Sequence, residues 1–337
     1  MRRHLAIIEA VRSPLVAEQA GGLPGSTTAG VLLPPVVGAM LARTRTCPAQ
    51  VDEVVVCGMS RSVGIGFGPE AVDLRSVPGT AVLEEQARRA SGALALVAAV
   101  RAADSGPLVP GHSPPSAPEL IAGVAARSTA RALAAATAGD FAGQIVPVAL
   151  GGRLLDRDQI RALDRERGSL PAGIGVGPAH GGTSCLPSVV APPAFGAVAL
   201  LLCTDDRAAE LGFRPRAKVL AVVSEPSTAA TVWEVQERVT SRALTRAGVL
   251  ASQLDHVEID ERFAAAPAVW MRRFLVHGDL VNPRGGAIAL GTPGHASGLR
   301  LVVTLLHGLR TVGGVFGVVV AHELDGTVRA IVIERTL

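Results

Sequence analysis

The chain has 337 residues, 48% hydrophobic and 18% charged, so it can bury one large core or two mid-sized ones and is not a disordered polymer. Its formal net charge is +3, all but Lys218 of its 32 basic residues are arginines scattered among Asp and Glu, and aromatics make up 3%. With no basic run and few stacking residues, the composition argues against nucleic-acid binding.

Taken in chain order, the first apolar run, Ala6–Ile8, predicts a buried strand; Glu9 interrupts it too early for a signal peptide. Val54–Val56 predicts a second strand. GIGFGP (Gly64–Pro69) and GIGVGP (Gly173–Pro178) resemble each other but have neither the Lys-Ser/Thr of a phosphate loop nor dinucleotide spacing, and read as loops. After Gly106, PLVPGHSPPSAPE reads as a surface linker. Val189–Cys203 is uncharged, but Pro192 and Pro193 and its short length make it a core strand and not a membrane span. Val198–Leu202, Val219–Val223, Phe316–Val320 and Ala330–Ile333 complete the strands. Their alternation with alanine-rich stretches predicts a layered α/β fold. Cys47, Cys57, Cys185 and Cys203 show no paired spacing, so reduced thiols, no metal site and a cytoplasmic location are expected.

The segment NPRGGAIALGTPGHASGLR (Asn282–Arg300) resembles the C-terminal signature of thiolases, NxxGGAIAxGHPxGASG. Other stretches agree, in the family's order. LAIIEAVRSP (Leu5–Pro14) resembles the first strand and turn, and VDEVVVCGMS (Val51–Ser60) the VDEVIxG strand. ASGALALVAAVRAADSG (Ala90–Gly106) is similar to the SG helix that follows the nucleophile, and GQIVPV (Gly143–Val148) to the EIVPV strand. FGAVALLL (Phe195–Leu202), AAELGFRPRAKVLAV (Ala208–Val222), DERFAAAPAVW (Asp260–Trp270, for NEAFAAQ) and GGVFGVVVAHELDG (Gly313–Gly326, for YGxxxxCxGGGxG) complete the likeness. It covers residues 5 to 326 and is weak only over about 107–186. The resemblance implies a thiolase-like fold of two similar halves stacked as five layers (α-β-α-β-α). The N-terminal half is expected at 1–211, with a shortened loop excursion at about 107–186, and the C-terminal half at 212–337.

Thiolase chemistry needs a thiolate to carry the acyl group, a histidine to activate it, a second acid/base, and donors for the thioester oxygen. The resemblance assigns these to four places, and each is altered. The nucleophile position falls on Arg89 counting back from Ser91-Gly92, or on Gln86 counting from Val77–Thr80. Arginine stays protonated and cannot form an acyl intermediate. The Asn of NEAF is Asp260, which exchanges an amide donor for an anionic acceptor. The GHP histidine is Thr292, and the second cysteine falls at His322, or at Ala321 with a shift of one. Cys185 with His180, His295, and His322 with Glu323 or Asp325 are candidate substitutes, each weighed against a simple packing role. Arg89 and Asp260 are expected to meet as an ion pair plugging the old site.

No cofactor is implied beyond a coenzyme A thioester as ligand, and PSVVAPPAFGA (Pro187–Ala197) replaces the family's polar loop with prolines and apolar groups. Three readings follow: a non-catalytic partner or regulatory subunit in acyl-CoA or specialised-metabolite biosynthesis, an acyltransferase using relocated residues, or a module that binds an acyl thioester without turnover. The expected partners are a second copy or an active thiolase-like paralogue, and acyl-CoA or a carrier protein, with no nucleic acid and no membrane.

Overall fold

The computed structural model describes residues 4–17, 25–58, 73–89, 92–100, 118–160, 190–228 and 230–336. The first-half sheet is built from β1 (Leu5–Arg12), β3 (Glu53–Cys57), β4 (Asp73–Arg75), β5 (Ala95–Val100) and β9 (Ala197–Thr204). The second-half sheet uses β10 (Ala217–Pro226), β11 (Leu254–Ile259), β12 (Phe316–His322) and β13 (Thr327–Arg335). Short pairs β2 (Val16–Ala17) with β8 (Ala194–Phe195), and β6 (Val148–Leu150) with β7 (Arg153–Leu155), lie outside them. The large strands run β11-β12-β13-β10-β1-β9-β5-β3-β4, so each half is wound in the same order outward from a central pair. That pair, β1 and β10, is antiparallel and joined through Leu5–Ile7 and Ala217–Val219.

Strand residues are buried on both faces, and the period of two sorts them between layers. Ala6, Ile8, Val54, Val56, Leu96, Ala98, Ala199 and Leu201 face α1 (Gly25–Thr44) on the outside of the first sheet. Ile7, Val55, Val97, Leu200, Val319 and Ile331 face inward onto α2 (Gly79–Arg89) and α8 (Ser297–Val312). Val257, Ile259, Val318 and Val332 pack outward on α5 (Val232–Ala247) and α6 (Ala265–Phe274). The two portions of this nine-stranded sheet, joined at β1–β10, with helices between and outside them, are the five layers expected from the resemblance. The described part of the excursion contributes α3 (Pro118–Ala138), which packs on α6 and on the single turn α7 (Ala287–Leu290). It is clamped to β1 by a buried bidentate pair, Arg12 Nη1 to Asp158 Oδ1 at 2.6 Å and Nη2 to Oδ2 at 2.7 Å. The last connection, α4 (Asp205–Glu210), is capped by Thr204, whose hydroxyl accepts from Arg207 N–H.

One expectation is corrected. Ala90–Gly106 is not the central helix: Ala95–Val100 is strand β5, parallel to β3 and antiparallel to β9. A short apolar run buried on both faces carries no periodic signal to separate strand from helix. The amphipathic segment just upstream, with Val82, Leu83 and Gln86 buried, is the helix that enters the central layer.

The outer edge of the second sheet is closed by a side chain. Asn282, at φ 45°, accepts from Ile259 N–H at 2.8 Å and donates from Nδ2 to Ile259 C=O at 2.9 Å, while its own N–H bonds Val257 C=O. Its amide thus acts as one residue of a missing strand. Asn282→Ala should cost about 2–4 kcal/mol in urea denaturation, because buried backbone groups lose partners. A loss under ~0.5 kcal/mol would mean that the backbone contact with Val257 suffices by itself.

Candidate functional site

The N-termini of α2 and α8 meet in the central layer. Gly298, in the first turn of α8, lies against Thr80 in the first turn of α2; a Cβ there would stand 2.8 Å from Glu323 Oε1 and also strike the Thr80 methyl. Gly291, at φ 87°, lets the preceding loop pass Ala194 so closely that a Cβ would come within 2.5 Å of that residue's Cβ. Thr292 is pinned by two backbone bonds, N–H to Pro192 C=O and C=O from Ala194 N–H, and its hydroxyl lies 2.9 Å from that of Ser297. Ala191 N–H likewise bonds Arg262 C=O, so the proline-rich segment lies directly over the site's backbone.

Strand alternation decides what points into this junction. Ala321 faces the central helices, His322 turns away, and Glu323 turns back. His322 Nε2 instead meets Gln236 Oε1 of α5 at 2.7 Å, with its ring 6.0 Å from Trp233. His322 is therefore directed toward α5 and away from the junction that Glu323 enters. Glu323 is 4% exposed, and its carboxylate accepts from the Thr80 hydroxyl. Burial pushes it up to about 7, against the lowering effects of Thr80 and Arg329.

Asp260 is 1% exposed, where β11 ends. His256, Glu258 and Asp260 alternate onto the inner face, with His256 Nε2 2.8 Å from Glu258 Oε1. Arg300, fully buried on α8, lies among Glu258, Asp260 and Glu261, which favour its charge while burial opposes it. Asp260 Oδ1 accepts from Arg262 N–H at 3.0 Å, and Oδ2 lies 3.9 Å from Arg262 Nη2. Glu261 is held by Ser128 Oγ at 2.5 Å and Asn282 Nδ2 at 2.7 Å; burial still raises its affinity for a proton. His295, in a turn of 3-10 helix before α8, is half-buried. Burial lowers its pKa below the ordinary imidazole range, with Asp325 opposing and Arg262 adding a smaller lowering.

The expected Arg89–Asp260 plug is not formed. Arg89 is the last residue of α2, its side chain 51% exposed, paired with Glu85 at 2.6 Å and Glu53 at 3.7 Å. Gln86, the other register, is buried near the same end and donates to Glu53 at 2.9 Å. Both sit at the wrong end of the helix because the central helix lies upstream of Ser91-Gly92. The cation beside Asp260 is Arg262, overlooked because it replaces a family alanine with no chemical role. Glu323 was named only as a partner for His322, and Thr80 was not named as a site residue; the VPGT at the start of α2 was the available signal, since Pro-Gly ahead of an amphipathic run marks a helix start.

Ser76, Val77 and Pro78 precede α2, so no thiol stands at its N-terminus. Of the described cysteines, Cys57 ends β3 on the inner face. Burial holds its thiol up at about 12, with Arg75 opposing and Glu323 adding to the shift, so it is neutral at physiological pH. Cys203 is raised by burial to about 11, and Cys47 is exposed. Cys185 and His180 lie outside the described residues. Among the described residues, no cluster of His, Cys, Asp and Glu is placed to hold a metal, and no helix is long and apolar enough to cross a membrane. The arrangement can exchange a proton at Glu323 and hold charge with Arg262, and among the described residues no thiolate stands in it.

A mutant cycle separates the two plugs. Arg89→Ala should change stability by less than ~1 kcal/mol, since its pairs are half-exposed. Asp260→Ala should cost on the order of 3 kcal/mol. Asp260→Ala should couple to Arg262→Ala but add independently to Arg89→Ala in denaturant unfolding; coupling to Arg89 alone would restore the discarded plug.

Residues 213–335 match the family model described as "Thiolase, C-terminal domain". Beta-ketoadipyl-CoA thiolase of Pseudomonas putida is 36% identical over 63% of this chain and 54% of its own length. Steroid 3-ketoacyl-CoA thiolase FadA6 of Mycobacterium tuberculosis is 31% identical over 61% of this chain and 49% of its own length. The chain thus spans about half the length of the curated relatives it matches. Human mitochondrial 3-ketoacyl-CoA thiolase superposes with a TM-score of 0.79 at 21% identity over 99% of each chain. The acetyl-CoA acetyltransferase of Bacillus anthracis gives the same TM-score, identity and coverage. Residues 213–335 thus carry the thiolase C-terminal domain, sequence similar to thiolases extends over more than half of the chain, and the whole chain has the thiolase fold.

Proposed function

We propose that this chain has lost thiolysis and Claisen condensation by the family mechanism and acts as a non-catalytic partner or regulatory subunit in acyl-CoA or specialised-metabolite biosynthesis. The observation that carries this reading is the content of the helix junction. Where an acyl-carrying thiolate and its activating histidine are required, the chain has Thr80, Glu323, Asp260 and Arg262, all largely buried and engaged with one another. Thr292 is then an inherited position without its inherited task, while Arg89 and His322 lie away from the junction. The halves 1–211 and 212–337 serve as scaffold, and the unpaired cysteines suit a reducing cytoplasm.

The runner-up is an acyltransferase or acyl-thioester-binding module. It is favoured by one observation, the half-buried imidazole of His295, whose pKa burial lowers. Incubation with acetoacetyl-CoA and coenzyme A, or with acetyl-CoA alone, should give no turnover above background, and intact mass should reveal no acyl adduct. Turnover abolished by Cys185→Ala or His295→Ala would establish the runner-up instead. Binding of acyl-CoA in calorimetry without turnover would establish the binding module.

The assembly follows from the open edge of the first sheet, where β4 has no outer neighbour among the described residues. A two-fold pair through that edge, with a second copy or an active paralogue, is the expected partner arrangement. Sedimentation at micromolar concentration should give a dimer; a folded monomer, alone and with a candidate paralogue, would refute it.

A further inference from the structure

Two polar ties join α2 of the first half to the β12–β13 hairpin of the second. The Thr80 hydroxyl donates to Glu323, and Glu84 Oε2 accepts from Arg329 Nε at 3.1 Å. Glu84 Oε1 also accepts from Ser224 Oγ of β10 at 2.9 Å. Thr80 and Glu84 are four apart and share one face of α2. Glu323 and Arg329 flank the hairpin turn, with Arg329 opposite Ala321. All four side chains are enclosed, from Thr80 at 0% to Glu84 at 16% exposure. Arg329 Nη1 has no hydrogen-bond partner, although its charge acts on Glu323. One guanidinium therefore stands between two carboxylates, bonded to only one of them. Between the sheets themselves, main-chain pairing is limited to the short β1–β10 contact.

We propose that this four-residue clasp is a proton-operated latch between the two halves, closed while Glu323 carries its proton and released as Glu323 ionises. The proposal does not depend on whether the site retains catalysis.

The charges around Glu323 come from every neighbouring element. Asp260, after β11, opposes its ionisation; Arg262 beside it and Arg329 on β13 favour it, as does Thr80 on α2. Glu84 on α2 is already engaged by Arg329, and Cys57 at the end of β3 stays a neutral thiol. Asp325, two residues on, acts on His295. Burial outweighs the favourable neighbours, so the enclosed carboxyl holds its proton up to about 7, where a hydrated one has the ordinary value of 4.5. Opening therefore releases a proton. It becomes easier as pH rises from the ordinary carboxylate range to about 7, and changes little above that.

Amide hydrogen exchange of the full chain, corrected for the intrinsic chemical rate, tests this. In the first turn of α2 and the β12–β13 turn, protection should fall roughly tenfold between about pH 6 and pH 8. The amides of β11 serve as the control and should not change. Glu323→Gln should make the profile flat. Glu84→Gln frees Arg329 to turn to Glu323, so the loss should be smaller and complete at lower pH. The same fall in Glu323→Gln, or protection independent of pH in the wild type, overturns the latch. If Glu323→Gln does not fold, an unshifted profile in Glu84→Gln overturns it equally.

Discussion

A helix N-terminus brings N–H groups that have no partner within the helix, and α2 and α8 bring two such ends to one buried place. Water is largely excluded there, so the groups at the junction must be polar and complementary whatever the protein does. Two dipole ends also favour negative charge, which is consistent with two carboxylates, Glu323 and Asp260, at this point. The same fold can therefore keep its architecture through a change of occupants. Polarity is required by packing; a thiolate is required only by acyl transfer.

The occupants are coupled, and they have to be read as a set. An aspartate in place of the NEAF asparagine would leave a buried anion unpaired, and Arg262 supplies the nearby cation and the N–H it accepts. Glu323 in turn is accommodated by the absence of a side chain at Gly298 and by the Thr80 hydroxyl. Restoring one family residue alone would thus disrupt its neighbours. Thr292 fits the same pattern, since its hydroxyl is placed against Ser297 at the entry to α8.

The family and the layer order were legible because apolar runs such as Val54–Val56 and Phe316–Val320, and the signature at Asn282–Arg300, are local features. The site was only half legible. Asp260 and Thr292 lie in well-matched motifs and are found at the junction. Arg89 was misplaced because LALVAAV reads equally as strand or helix, and that ambiguity shifted the central helix by more than ten residues. His322 and Glu323 differ by one position, which in a strand means opposite faces. No motif count could choose between them. Tertiary packing against α5 on one side and α2 on the other does so.

Asn282 has a consequence that reaches beyond one molecule. Its amide occupies the hydrogen-bonding groups of Ile259 that an incoming strand would need, so the nine-stranded sheet is blunt at its β11 end, while β4 at the other end has no outer neighbour among the described residues. A sheet with two adhesive ends can polymerise without limit, as fibrils do. With a single adhesive end, growth terminates once two such ends have met. A sheet capped in this way by a side chain cannot be extended at that residue by an incoming strand.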